Sequence, residues 1–305
     1  MIHREVVPEA LTGERVDRVV AMVTGCSRAE VAALAEAGAV RVDERVVTMR
    51  STRLDAGAVL EVDAPDPGEA ASLVPDATVA VPLVHEDEHL LVVDKPAGLV
   101  VHPGAGQPRG TLVHGLLARY PELADVGDPT RPGIVHRLDK GTSGLLLVAR
   151  SQAAYEALVA ALAARRVHRR YRALAWGSVE APRGIIDAPV GRSARVATRM
   201  AVDARGKEAR TRYEVLARYV EPVAVTELAC ELETGRTHQI RVHLRSIGHP
   251  VVGDARYDGA RQSLPMRRPF LHAEHLELAH PVTGESLAFD APLPTDLTEV
   301  LASLR

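Results

Sequence analysis

Gly133-Ile134-Val135-His136-Arg137-Leu138-Asp139-Lys140-Gly141-Thr142-Ser143-Gly144 carries the densest chemical signal in the chain. The apolar run Gly133 to Leu138 reads as a strand, and Leu145 to Val148 as a second strand beyond a Gly/Ser/Thr turn. Asp139 falls at the junction beside His136, Arg137 and Lys140. A carboxylate there would be held firmly at a strand end and remain reachable. Next to a guanidinium it would stay an anion at neutral pH, which suits a nucleophile better than a general acid. The same spacing also suits an Asx-turn residue that bonds only its own loop.

Outward from this stretch, further elements alternate. Residues 151–166, SQAAYEALVAALAARR, form an amphipathic helix with Ala154, Leu158, Ala161 and Leu162 on one side. Leu83 to His85 and Leu90 to Val93 read as buried strands, as do Arg170 to Trp176, Arg212 to Leu216 and Ala224 to Leu232. Gly235-Arg236-Thr237-His238-Gln239-Ile240-Arg241-Val242-His243 follows, with Gly235 at a tight turn. Thr237 is read as the cap of a helix that ends at Gly248. Arg241 falls one turn inside that helix, where its guanidinium can pair with a carboxylate on a neighbouring strand. The histidines at 238, 243 and 249 do not share one helical face. They lack Cys or acidic partners at metal-site spacing, so no metal centre is expected.

Residues 1–63 read as a compact α/β module. Arg15 to Thr24 carries an apolar stripe. Ser27 and Glu30 have capping-box spacing for a helix that stops at Gly38. Short strands flank an Asp43-Glu44 turn, and another strand covers Val59 to Val62. Residues 64–78, rich in Pro, Ala and acid, have the composition of a linker. Residues 79–305 then form the larger domain.

Bulk properties narrow the classes. The 305 residues carry a net charge of −3 and 46% hydrophobic residues, so a soluble protein with a real core is expected, not a uniformly basic one. Charge is nevertheless focused. Residues 131–172 hold nine Lys or Arg against two acids, and residues 192–218 hold eight against three. Such stripes attract phosphate. Aromatics are 3% of the chain, so base stacking can contribute little. Two cysteines make no disulfide framework. With no signal segment and no long apolar run, a cytoplasmic protein is expected.

Several motifs together resemble the RluA/RluD family of RNA pseudouridine synthases. His136-Arg137-Leu138-Asp139 with Thr142-Ser143-Gly144 resembles the family signature. The segments 94–103, 235–243, 250–254 and 271–273 resemble its other motifs, in order, over roughly residues 80–295. The resemblance implies an α+β fold with a mixed, largely antiparallel central sheet flanked by helices and loops. It implies that Asp139 is the nucleophile and that Tyr171 packs on the uracil and takes the carbon-5 proton. Arg241 would be the partner of the aspartate, and Ile240 would line the pocket. Arg137 would fill the space of a flipped base, while His136, Arg236 and Lys95 would support the site or the RNA backbone. No cofactor is implied. The implied substrate is structured RNA, most of all large-subunit ribosomal RNA or its precursor particle, with transfer RNA as the alternative. No obligate protein partner is implied. Residues 13–63 resemble the alpha-L RNA-binding motif, although residues 1–63 hold eight basic residues against eleven acids. A non-catalytic RNA-binding assembly factor is the reading from a different class. A glycosidase is disfavoured, because it needs two facing carboxylates and the Asp139 motif offers one.

Overall fold

The structure is a computed structural model that describes residues 2–26, 28–64, 73–104, 106–196 and 198–305. The Ser27 cap and most of the 64–78 linker lie outside the described residues. Met1–Val74 and Pro75–Arg305 form two compact units. No helix among the described residues is long and apolar enough to cross a membrane.

The first unit pairs helices α1 (Val16–Thr24) and α2 (Arg28–Glu36) with four strands, β1 (Ile2–Val6), β2 (Val40–Val42), β3 (Arg45–Val46) and β4 (Val59–Asp63). The sheet order is β1-β4-β2-β3. Val16, Val19, Val20, Val31, Val40, Leu60 and Val62 meet in its core. The β2–β3 hairpin turns on Asp43 and Glu44, both at positive φ (48° and 66°). Two consecutive left-handed residues match the right-handed strand twist, so the turn forms without the usual Asn-Gly pair.

The second unit is built on a mixed nine-stranded sheet. Its strands are β5 (Leu83–Glu86), β6 (Leu90–Lys95), β7 (Ser143–Ala149), β8 (His168–Trp176), β9 (Arg183–Asp187), β12 (Arg210–Tyr219), β13 (Val225–Leu232), β14 (Leu271–Ala279) and β15 (Ser286–Asp290). A separate hairpin joins β10 (Val190–Arg192) to β11 (Met200–Val202). The helices are α3 (Leu112–Arg119), α4 (Gln152–Ala163), α5 (Gln239–Ser246) and α6 (Thr295–Ala302). The order β5-β6-β7-β14-β8-β13-β12-β9, with β15 on β14, is antiparallel throughout except where β14 meets β7. The α+β class and the mixed, largely antiparallel sheet hold.

Register explains where the site falls. Ala273 of β14 pairs with Gly144 on one side and with Tyr171 on the other. The exit of the Asp139 segment and the strand bearing Tyr171 are therefore two strands apart, about 10 Å. On β8 the side chains alternate. Arg169 and Tyr171 are buried on one face, and Arg170 and Arg172 point to the other, where both donate to Glu274. The strand β13 pairs with β8 and runs directly into the turn that starts α5.

Two expectations need correction. Gly133 to Leu138 is not a strand. Only Ile134 bridges β7, at Val148, and the chain from Val135 onward is irregular. The reason is local. Ala149 N donates to Gly133 O, but Leu147 N donates to the His136 Nε2 side chain. A side-chain acceptor thus replaces the second rung, and the backbone is released to turn. Nor does Thr237 cap α5. The residue at the cap is His238, in the left-handed conformation (φ 57°, ψ 22°), without a side-chain cap. The Gln239 amide closes the entry turn instead. It accepts from Arg236 N and Thr234 Oγ1 and donates to Arg210 O and Thr211 Oγ1, so all its polar positions are used.

Candidate active site

A small cleft of about 50 Å³ is lined by Asp139, Tyr171 and Arg241, together with Arg137, Arg236, His238 and Ile240. Arg241 Nη1 donates to Asp139 Oδ2 at 2.9 Å. The carboxylate side chain keeps 17% of its surface exposed, while that of Arg241 keeps 9%. A volume of this size holds one or two waters, so a nucleoside enters only as flanking side chains move. A larger concavity, about 610 Å³, lies on the opposite sheet face among Arg170, Arg172, Arg212 and Glu274. Its arginines 170, 172 and 212 are held by Glu227, Glu274 and Glu233. Chemistry, not size, marks the smaller cleft.

The cation is fixed more firmly than the anion. Arg241 Nε and Nη2 grip Asp254 at 2.6 and 2.9 Å, and Asp254 is 1% exposed. Burial works against the charge of Arg241. Hydrogen bonds and charge from Asp254, joined by the charge of Asp139, override it and hold the guanidinium above its ordinary pKa. Two hydrogen bonds in a fork geometry fix the orientation as well as the charge. Tyr171 is buried. Burial pushes its phenol up, the nearby Arg169 opposes that shift, and Asp139 adds to it.

Of the residues named from the sequence, Arg137 is exposed at the cleft mouth, Ile240 is buried in its wall, and Arg236 lines it while donating to Glu208 O. Two others turn their side-chain nitrogens away from any surface that RNA could touch. Lys95 is fully buried, and its Nζ donates to Pro96 O and Leu99 O. Burial brings its pKa down to about 7, with Asp139 opposing and Arg268 assisting. His136 is kept neutral, its pKa brought down to about 3 by burial and by Arg169. Its Nε2 is occupied by Leu147 N. Both brace the Asp139 segment from below. An RNA-backbone role for either is at odds with this placement.

The basic stripes also change meaning. Arg131, Arg150, Arg165, Arg170 and Arg172 are all engaged with acids of the chain. So are Arg205, Arg210 and Arg212. Arg137 and Lys140, flanking Asp139, stand exposed.

Three residues were missed in the sequence reading. Asp254 belongs to the quoted 250–254 motif but was given no task, and Gln239 holds the α5 entry. His238 was weighed only as a metal ligand, yet its Nε2 stands 3.8 Å from Asp139 Oδ1.

Residues 89–246 match the family model for RNA pseudouridylate synthase, and residues 14–60 match the S4 domain. The chain belongs to the RNA pseudouridylate synthase family. It is 47% identical to an uncharacterized RNA pseudouridine synthase of Chloroflexus aurantiacus, over 98% of this chain and 93% of that protein. It is 43% identical to ribosomal large subunit pseudouridine synthase D of Pseudomonas aeruginosa, over 100% of this chain and 97% of the relative. Among solved structures, human RNA pseudouridylate synthase domain containing 1 superposes with a TM-score of 0.59 at 29% identity. That match covers 75% of this chain and 90% of the human one.

Proposed function

We propose that the chain isomerises uridine to pseudouridine in large-subunit ribosomal RNA, with Asp139 as its nucleophile. The observation that carries this is the Asp139 carboxylate set against Arg241 in a cleft shared with Tyr171. The relatives named as large-subunit enzymes support the choice of RNA over transfer RNA.

The overall change breaks the bond from ribose C1′ to uracil N1 and makes one from C1′ to C5. N1 ends with a proton and C5 loses one, so the atoms balance with no other reactant. A stacked uridine must be extruded first, at a cost of a few kcal/mol. Arg137, exposed beside the cleft, is placed to fill the space the base leaves. Asp139 then attacks C1′, attacks C6, or assists elimination at the sugar; all three start from the same carboxylate. Arg241 orients that carboxylate through its hydrogen bond to Oδ2. Tyr171 takes the C5 proton as its own phenol proton passes to solvent, and Ile240 presents an apolar wall to the ring. Residues 1–63 act as an accessory RNA-binding unit, joined by a linker over 64–78. The site of action is the cytoplasm, on ribosomal RNA or its precursor particle during ribosome biogenesis.

The test is tritium release from carbon-5-labelled uridine in RNA of a strain lacking the gene. Asp139→Asn is expected to abolish release while RNA affinity stays within a few-fold of wild type. Release at the wild-type rate would sink the assignment. Loss of a single pseudouridine in ribosomal RNA of the deletion strain, mapped across total RNA, would identify the target. Loss in transfer RNA alone would redirect it.

A further inference from the structure

His238 occupies a backbone conformation that a side-chain-bearing residue rarely adopts, φ 57° and ψ 22°, at the entry of α5. Such strain persists where surrounding structure enforces it and collects at functional sites. The enforcing contact is Tyr257, which is 1% exposed. Tyr257 Oη accepts from Met200 N at 3.0 Å and lies 2.7 Å from His238 Nδ1. A backbone N–H can only donate, and the phenol hydrogen finds its acceptor in Nδ1, the arrangement that gives the buried phenol both a donor and an acceptor. The imidazole proton is therefore on Nε2, the nitrogen that faces Asp139 Oδ1. The other carboxylate oxygen, Oδ2, is already held by Arg241.

We propose that His238 is a positioning residue for the uridine reaction, a neutral Nε2–H donor that fixes Asp139 through Oδ1 while Arg241 fixes it through Oδ2. This rests on the reading of Asp139 as the nucleophile. At 3.8 Å the contact is longer than a hydrogen bond, and a shift of under an ångström closes it as the nucleotide seats. A carboxylate oxygen has two lone pairs, so one binds His238 and the other stays available to the substrate. No proton changes hands. The groups facing the imidazole are Asp139, Arg241, Asp254, Arg256 and Tyr257. Burial keeps it neutral against the pull of Asp139.

The experiment is single-turnover tritium release by the full chain in excess over carbon-5-tritiated total RNA from a deletion strain. Asp139→Asn runs alongside. Glycine accepts φ 57° without strain. His238→Gly is therefore expected to keep or raise the unfolding midpoint and the RNA affinity while slowing release about 10–100-fold. His238→Gln, which restores an N–H donor, should recover part of that loss. In Tyr257→Phe burial still keeps the imidazole neutral, but nothing fixes its proton on Nε2, so release should fall several-fold. Wild-type release by His238→Gly, or a loss confined to RNA affinity, overturns the proposal. If that variant does not fold, Tyr257→Phe decides, and release at the wild-type rate by it overturns the proposal. An inactive Asp139→Asn beside fully active His238 variants defeats this inference alone. An active Asp139→Asn defeats the underlying reading.

Discussion

Arg241 and Asp139 meet at 2.9 Å but are held in place in opposite ways. Arg241 stands on a regular helix, grips Asp254 with two nitrogens and lies over the Tyr257 ring at 5.0 Å. Asp139 aside, these contacts of Arg241 come from residues 238–257. Asp139 lies on irregular backbone, and its segment is braced by chain far away in sequence. Gly98 N donates to Lys140 O, and Arg268 Nη1 donates to Gly141 O and Ser143 Oγ. Arg268 is itself tied to Asp296 of α6. The cation is positioned locally and the anion by tertiary structure. Damage to the cation should therefore act through one neighbour, whereas damage to the anion can arrive from many directions.

The largest effect should come from Asp254→Ala. It leaves a buried guanidinium with one exposed-edge partner where it had a fully buried one. Breaking a buried pair costs about 3–5 kcal/mol. Urea unfolding should show that loss, and single-turnover release should fall by about 10²-fold or more because Arg241 is no longer aimed. Unchanged stability would mean that Asp254 is not what seats the cation.

Gly144→Ala probes the other side. Gly144 has φ 106°, and an added Cβ would stand 2.2 Å from Ala273 O, so β7 and β14 must separate. Overpacking of this kind costs about 1–3 kcal/mol. If the anion depends on tertiary bracing, turnover should fall along with stability. A stable Gly144→Ala enzyme at full rate would show that the Asp139 segment is held without this contact.

His136 gives a smaller, pH-dependent effect. The unfolded chain takes up a proton at this residue below pH ~6.5, whereas the folded one resists until about 3. The unfolded state thus binds more protons in that window, and stability falls as pH drops through it. His136→Gln should flatten the stability profile by about 2 kcal/mol between pH ~7 and ~5. Equal acid sensitivity in both proteins would count against a buried, neutral imidazole.

The asymmetry also explains what could be read from the residues. The cation side was legible because it is local. The 235–243 motif places Arg241 six residues after Gly235, and only the cap was misread. Choosing Thr237 as cap followed helix-start chemistry, but a buried Gln239 amide satisfied the turn and left His238 in the strained position. The sheet class was legible from apolar runs such as Leu145 to Val148. The 133–138 segment was not, because alternation cannot show that a histidine side chain will take a strand's hydrogen bond. The arginine stripes misled for a related reason. Charge counts along the chain cannot show that Glu227, Glu274 and Glu233 arrive from neighbouring strands to answer them.

The smallest expected effect tests the base of the anion side. Lys95 lies in the interior, where its ammonium closes the 96–99 turn whose Gly98 N–H holds Lys140 O. Its pKa is about 7 in the fold against an ordinary 10.5. Above pH 7 the folded chain sheds this proton while the unfolded chain keeps it, so the unfolded state binds more protons. Stability attributable to Lys95 therefore rises with pH from about 7 towards 10.5 and is absent below 7. Between pH 7 and 8 the gain should be about 1 kcal/mol relative to Lys95→Met, read as a widening difference in urea midpoints. A neutral amine still has two hydrogens for two carbonyls, so the turn survives the loss of charge. A constant difference between the two proteins across that range would mean that Lys95 stays charged in the fold. The ammonium, and not only its hydrogen bonds, would then be part of what steadies Asp139.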